Sequence, residues 1–374
     1  MRQFRWYLAV TSAWAIAQLF LPGELAGPWY LLGAFCALIV LWPRALRVPE
    51  AARKPAVLIT LAGTTSLLGV IVRAVYGMVV GLDFPFPSPG DLFALASYPF
   101  VLSAILVVVY RRLGRFDLDL FLDALVAGAA VVILQWTIIL LPFVQDAGFT
   151  PWAKFVQIIY SVLGILVFIA AVMTLVAGGQ RSVSNRLLAM ALITTFLMDN
   201  FGTYLTATGR DELMILYLAP LIYVLGGAGL IHPSIAQLTS RPTDQGALRR
   251  LSNKRIGVMA TALIGPPALI LGYTLTQSYD QLLLPAAGSL ALAPLVVVRL
   301  ARLVQDRERL AAQEAALRSV GERLVAAETS DDVARIITVG TEQLLGTNFV
   351  DGGVVLDPFG QDLQDLSDGL RAAV

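Results

Sequence analysis

The residues best placed to do chemistry are polar side chains in the middle of apolar stretches. Arg73 lies within residues 56–81, and Asp199 with Asn200 within 187–208. A charge at the centre of a hydrocarbon layer costs about 2.5–3.5 kcal/mol on insertion scales, so such groups pair with one another or serve a site. The depths of Arg73 and Asp199 along their stretches match. The expected arrangement is therefore an Arg73–Asp199 ion pair stapling two helices. The alternative is a cavity for a small ligand, which these residues line with Tyr98, Gln135, Gln157 or Tyr160. Asp91 is expected to cap a helix start, with an extracytoplasmic ligand contact as its alternative. Asp123 is expected in the headgroup zone near Arg111, Arg112 and Arg115, and His232, followed by Pro233, in a helix-end contact.

No catalytic set assembles. The chain has one histidine and one cysteine (Cys36), too few for a Cys/His metal centre or an internal disulfide. Ser/His/Asp sets and Walker loops are absent from the sequence, and His232 does not sit on the helical surface a phosphoacceptor needs. Neither metal nor cofactor is expected, and whether the chain is an enzyme stays open. Arg249-Arg250 with Lys254-Arg255 fit a loop beside anionic lipid, so nucleic acid is not an expected partner.

These residues need elements to hold them, and composition says which kind. Of 374 residues 57% are hydrophobic and only 14% charged, with mean hydropathy +0.75. Soluble domains carry about 25% charged residues, so a water-facing globule, a disordered chain and a disulfide-built domain are excluded. A hydrocarbon core about 30 Å thick needs roughly 20 apolar residues per helix. On that scale the expected fold is an all-α polytopic membrane protein with about ten spans, near residues 4–21, 28–42, 56–81, 92–110, 120–141, 152–177, 187–208, 213–231, 256–275 and 282–300. The first two are short enough to form one tight hairpin.

Loop charge orients them. Alternate loops carry eighteen Lys/Arg residues, among them Arg44, Arg47, Arg53, Lys54, Arg111, Arg112, Arg181, Arg186 and Arg249. The opposite loops carry only Lys154 and Arg210 among several acids. Basic loops stay in the cytoplasm, so both termini are expected there, in a multi-pass protein of the bacterial cytoplasmic (inner) membrane. Trp6, Trp29, Trp42 and Trp152 sit at span ends, where indole favours the interface. The basic, apolar N-terminus has a signal-peptide look, but retaining it as the first span keeps the topology consistent.

The tail has another composition. From Val304 onward there are six basic residues but 13 of the chain's 26 acids. Leu303, Leu310, Leu317 and Leu324 repeat every seven residues as the last span leaves the bilayer. The companion positions Asp306, Gln313, Val320 and Ala327 are half polar, and Gly321 interrupts the stripe. The pattern predicts a parallel coiled coil of modest stability, or a single amphipathic helix lying against its own chain. A second helix is expected from Ser330, its cap, with Asp331 and Asp332 in the first turn and a stop at Gly346. Short strands are expected at Asn348–Val350 and Gly353–Leu356, around an Asp351-Gly352 turn.

Several segments resemble the membrane-embedded sensor regions of bacterial, especially actinobacterial, signalling proteins that end in GGDEF or GGDEF–EAL domains and make or degrade cyclic di-GMP. They are Pro87-Ser88-Pro89-Gly90-Asp91-Leu92-Phe93 with Tyr98-Pro99, Leu122-Asp123-Ala124, Gln135-Trp136, and Leu140-Leu141-Pro142. Further on come Arg181-Ser182 to Arg186-Leu187-Leu188, Met198-Asp199-Asn200, and Gly226-Gly227-Ala228 to Ile231-His232-Pro233-Ser234. Val325-Ala326-Ala327, Ser330-Asp331-Asp332-Val333 and Leu344-Leu345-Gly346 also resemble a signalling helix running into the start of a GAF domain. A GAF domain is longer than the stretch present, and no GGDEF or EAL sequence occurs.

The expected organisation is a transmembrane sensor domain over 1–302, a signalling helix over 303–328 and an incomplete α/β, GAF-like segment over 329–374. The partners this implies are the lipid bilayer, a second copy joined through the tail helix, and an unknown small ligand. The function this implies is sensory or regulatory, in cyclic di-GMP signalling. A ten-helix secondary transporter built of inverted halves is the alternative, although the halves show no similarity and a heptad tail is foreign to it.

Overall fold

A computed structural model describes residues 1–82, 85–113, 118–176, 182–207, 218–240, 264–272, 274–275 and 282–326, with the single positions 329, 332 and 336. Among them there is helix and turn and no strand. The chain divides into two compact units, Met1–Arg299 and Leu300–Val374.

The first unit is a helical bundle. Its helices are α1 (Arg2–Gln18), α2 (Gly23–Arg47), α3 (Glu50–Val80), α4 (Gly90–Leu113) and α5 (Leu118–Gln135). They continue with α6 (Leu141–Gln145), α7 (Pro151–Val176), α8 (Val183–Ala207) and α9 (Pro220–Ile231). The last helix, α10 (Leu283–Val325), begins in this unit. Seven stretches are long and apolar enough to cross a bilayer: Gly23–Arg47, Glu50–Val80, Gly90–Arg112, Leu125–Gln145, Pro151–Leu175, Val183–Leu205 and Pro285–Arg302. Large apolar side chains such as Leu32, Phe35, Ile39, Leu106, Val162 and Leu197 point outward, as a lipid environment requires. This is a multi-pass membrane protein.

The count among the described residues is thus seven rather than ten. The first expected span forms α1 with 17 residues, and the eighth is described only as the 12-residue α9. Of the ninth, residues 256–263 lie outside the described set.

Small side chains and a few aromatic locks build the interior. The turn after α1 folds α2 back beside it. The indole of Trp14 donates to the Trp29 carbonyl at 3.1 Å, and that of Trp29 to the Trp14 carbonyl at 3.2 Å. Gly33 leaves room for the Trp14 ring, which a Cβ there would overlap. Ala26, Ala34, Ala45, Ala52 and Ala56 are completely buried on α2 and α3, the small-residue packing that brings helices close where lipid supplies no hydrophobic drive. The short α9 is well enclosed: it packs against α1, α2 and α8, with the Tyr7 hydroxyl donating to the Tyr223 carbonyl at 2.9 Å.

The α3–α4 hairpin is the most extensive helix pair. Gly81, with φ of 71°, ends α3 in the left-handed conformation that a glycine adopts without strain. The connection then folds back along α3 instead of leaving the bundle. Gly90, the first residue of α4, lies against Gly69, and a Cβ on Gly69 would stand 2.8 Å from both the Gly90 carbonyl oxygen and the Ala94 nitrogen. Gly69 precedes the end of α3 by eleven residues, so α4 starts about 16 Å below that end at 1.5 Å rise per residue. Gly69→Ala is therefore expected to destabilise the detergent-solubilised protein by about 1–3 kcal/mol through overpacking against backbone. Gly27→Ala, where nothing lies within 4 Å, is expected to gain about 0.5–1 kcal/mol from helix propensity. Thermal unfolding of the two variants side by side checks the contrast, and equal melting points would refute it.

Span five carries an internal defect with a chemical cause. Trp136–Leu140 form a π-helical turn between α5 and α6. Pro142 follows, lacking an N–H and clashing with the carbonyl four residues back, and one widened turn relieves both problems.

In the second unit, α10 continues as far as Val325. Beyond it, the Thr329 hydroxyl accepts the Asp332 N–H at 3.2 Å and donates to the Asp332 carboxylate at 2.7 Å. The capping group thus stands one residue before the expected Ser330, because a cap reaches the N–H three residues on. Ser330 and the expected strands of the GAF-like segment lie outside the described residues.

Candidate functional site

Four helices bring their polar side chains together inside the bundle. Arg73 of α3 makes an ion pair with Asp91 of α4. The Tyr160 hydroxyl of α7 donates to Asp91 Oδ1 at 2.8 Å, and the Ser88 amide and hydroxyl donate to Oδ2 at 2.6 and 3.2 Å. The Arg73 guanidinium also stands 5.9 Å from the Phe86 ring centroid, within cation–π range. Asp91 thereby has four donors, one of them a cation, everything a buried carboxylate needs.

One step further in, Tyr98 of α4 donates to Asp199 Oδ2 on α8. Asp91 and Tyr98 are seven residues apart on one helix, hence on one face, and the Tyr98 and Tyr160 rings meet edge to face at 6.1 Å. On α8 the Thr203 hydroxyl bonds back to the Asp199 carbonyl at 2.9 Å and accepts from Gln157 Nε2 of α7 at 2.6 Å. Asn200 uses its amide NH2 on the Phe196 carbonyl at 2.7 Å, which leaves its buried Oδ1 without a partner. Gln135, buried at the edge of the π turn, likewise keeps an unpaired Oε1.

The geometry corrects the expected pairing. Arg73 is bonded to Asp91 and not to Asp199. Asp91 is expected from the sequence as a cap at the outer end of its span. The folded-back connection instead carries the start of α4 down to the level of Arg73. Asp91 does accept the Ser88 N–H near the start of its helix, the backward half of a capping box, but it is also the hub of the network. Ser88 and the π turn carry no signal in composition or hydropathy. The one available clue was Ser88-Pro89-Gly90-Asp91, which spells a cap residue with an acid three positions on.

A second polar centre occupies the other end of α4. Arg112, 3% exposed, donates to the Leu238 carbonyl at 2.7 Å, the Thr174 carbonyl at 3.2 Å and Asn185 Oδ1 at 2.9 Å. Asn185 Nδ2 bonds the same Thr174 carbonyl at 3.2 Å. Thr174 and Leu238 lie at the ends of α7 and the short turn after α9, where carbonyls lack helical partners and carry the negative end of the dipole. In the sequence Arg112 stands out only as one of a run of basic residues at a span end. Arg299, near the end of the last apolar stretch, is also completely buried.

The other sites are simpler. His232 caps the short turn Pro233–Gln237, its Nδ1 accepting the Ser234 N–H at 3.1 Å, with the Phe4 ring edge-on at 4.7 Å. Burial first, and the chain's own amino terminus second, hold this imidazole below its usual range, in keeping with an acceptor nitrogen. The side chains of Asp123, Leu303, Leu310 and Leu324 lie outside the described residues, while Leu317 is exposed. Among the described residues no three His, Cys, Asp or Glu side chains gather as metal ligands. No family model, curated protein or solved structure matches the chain, so the chemistry of the site carries its own reading.

Proposed function

We propose that this chain is a sensory or regulatory module of the bacterial cytoplasmic membrane, which passes a conformational change from its bundle through α10 to a cytoplasmic output. The observation that carries the reading is α10 itself. It is one helix of 43 residues, apolar over Pro285–Arg302 and then charged, with Asp306, Arg307, Glu308, Arg309 and Glu314 beyond the span. An α-helix is stiff along its axis and rises 1.5 Å per residue, so such an element carries a rotation or a shift out of the bilayer without loss. The seam of Leu303, Leu310, Leu317 and Leu324 supports a parallel homodimer whose polar companion positions keep it weak enough to switch.

In this reading the helices number ten, α1, α9 and a span within 256–275 adding to the seven, and both termini face the cytoplasm. The resemblance to sensor regions of GGDEF/EAL proteins makes cyclic di-GMP turnover by a following domain the proposed output, reached through a GAF-like segment. The site residues, five of them ionisable and linked across four helices, are where a small ligand would bias helix packing. The same intramembrane network favours a second reading, solute transport, which flux into proteoliposomes would reveal.

The test is crosslinking in membranes. In a Cys36→Ser background, Leu317→Cys is expected to form a disulfide-linked dimer several-fold faster than Ala315→Cys, which lies on the opposite face of the helix. Equal rates, or no dimer from either, would sink the dimeric-helix mechanism.

A further inference from the structure

Among the described residues the polar network holds two carboxylates and one guanidinium. Asp91 takes the guanidinium and three further hydrogen bonds. Asp199 accepts only from Tyr98 and makes no ion pair. Among the described residues no other charge is paired with it. The α3 and α4 helices bring Arg73, Asp91 and Tyr98, and α7 brings Tyr160, with Lys154 one to two turns away and in no ion pair. From α9 comes only Tyr223, whose hydroxyl is engaged on the Gly63 carbonyl at 3.2 Å. The π turn and α6, also against α8, carry no titratable side chain. An ionised carboxylate in that position lacks one positive charge, and a low-dielectric interior makes that deficit expensive.

An independent observation points the same way. The buried oxygens Asn200 Oδ1 and Gln135 Oε1 lack any donor. They sit on α8 and at the edge of the π turn, elements that pack against each other. Orphaned oxygens ask for a donor or a cation, never for an anion. Asp199 is also not sealed, since part of its surface stays accessible while Tyr98 and Asp91 are buried.

We propose that Asp199, held by Tyr98 and backed by the amide oxygens of α5 and α8, is the anionic half of a binding site for a small cation inside the bundle. The shared chemistry is one positive charge, supplied by a proton, an alkali-metal ion or a primary ammonium. Occupancy neutralises the carboxylate and tightens the contact of α8 with α4 and the π turn. The inference builds on the sensory reading by naming the class of its ligand, yet its test reads binding alone, so it stands or falls apart from the dimeric helix.

The full chain is purified in lipid nanodiscs, and its unfolding temperature is followed at constant chloride. One arm exchanges N-methylglucamine for Na+, a second exchanges it for methylammonium, and a third varies pH in N-methylglucamine. A ligand bound only by the folded state raises the midpoint with the logarithm of its concentration, by about 3–6 °C at a hundredfold excess over its dissociation constant. Wild type is expected to respond in at least one arm, and that arm names the cation. Asp199→Asn, which keeps an acceptor for Tyr98, is expected to abolish the response, and Tyr98→Phe to weaken it about tenfold or less. Equal responses from wild type and Asp199→Asn would overturn the proposal, as would a wild type indifferent to all three. Should Asp199→Asn fold poorly, Tyr98→Phe decides by the same criterion, an unchanged response counting against the site.

Discussion

Replacing Arg112 with leucine is expected to remove most of the folded protein. The guanidinium joins three chain segments at that end of the bundle: α7 through Thr174, α8 through Asn185, and the turn after α9 through Leu238. Its removal leaves acceptors facing apolar surface, each costing about 1–3 kcal/mol when unsatisfied. The expected destabilisation is about 3–5 kcal/mol, at the severe end for a single substitution. Arg112→Lys should recover only part of it, because one ammonium on a flexible stem does not reproduce a planar fork reaching three oxygens. Arg111→Ala is the control, since that neighbour donates to the Ala51 carbonyl from an exposed position and should cost less than about 1 kcal/mol. Monodisperse yield and thermal midpoint in detergent measure all three. An Arg112→Leu protein melting within a few degrees of wild type would refute the staple.

Arg112 also marks the limit of what the chain displays before it folds. Hydropathy gives the spans because each helix must cover a fixed thickness with apolar residues, and seven of the expected stretches return as helices of that kind. The bundle's partners are less legible, since contacts among Ala, Gly and Leu have many near-equal sequence solutions. Arg112 belongs to a run of basic residues at a span end, and counting charges for orientation cannot separate an arginine in the headgroups from one folded inward. The site was half legible. Arg73, Asp199, Asn200, Tyr98 and Gln135 announced themselves by polarity at depth, but partner choice depended on a connection that turns back into the bundle. That turn is encoded in Gly69, Gly81 and Gly90, where the lack of a side chain permits the approach, and no hydropathy window detects it.

The ion pair offers the sharper test of that geometry. Arg73→Leu is expected to cost about 3–5 kcal/mol, because it strands a buried carboxylate. Asp91→Asn should cost less. The Arg73 side chain is 26% exposed against 5% for Asp91, so its long stem can carry the freed guanidinium toward water. With both changes the loss should fall short of the sum by about 1–3 kcal/mol, the coupling of a contacting pair. The same cycle run on Arg73 and Asp199 should give a smaller value, since those groups act on each other across the network without direct contact. Unfolding free energies in mixed micelles supply the four corners of each cycle. If Arg73 coupled to Asp199 and not to Asp91, α4 would have to begin near the surface, and the close approach of Gly69 to Gly90 would be lost with it. The two couplings therefore decide whether the α3–α4 connection folds inward, on which the placement of Tyr98 against Asp199, and so the vacancy for a cation, depends.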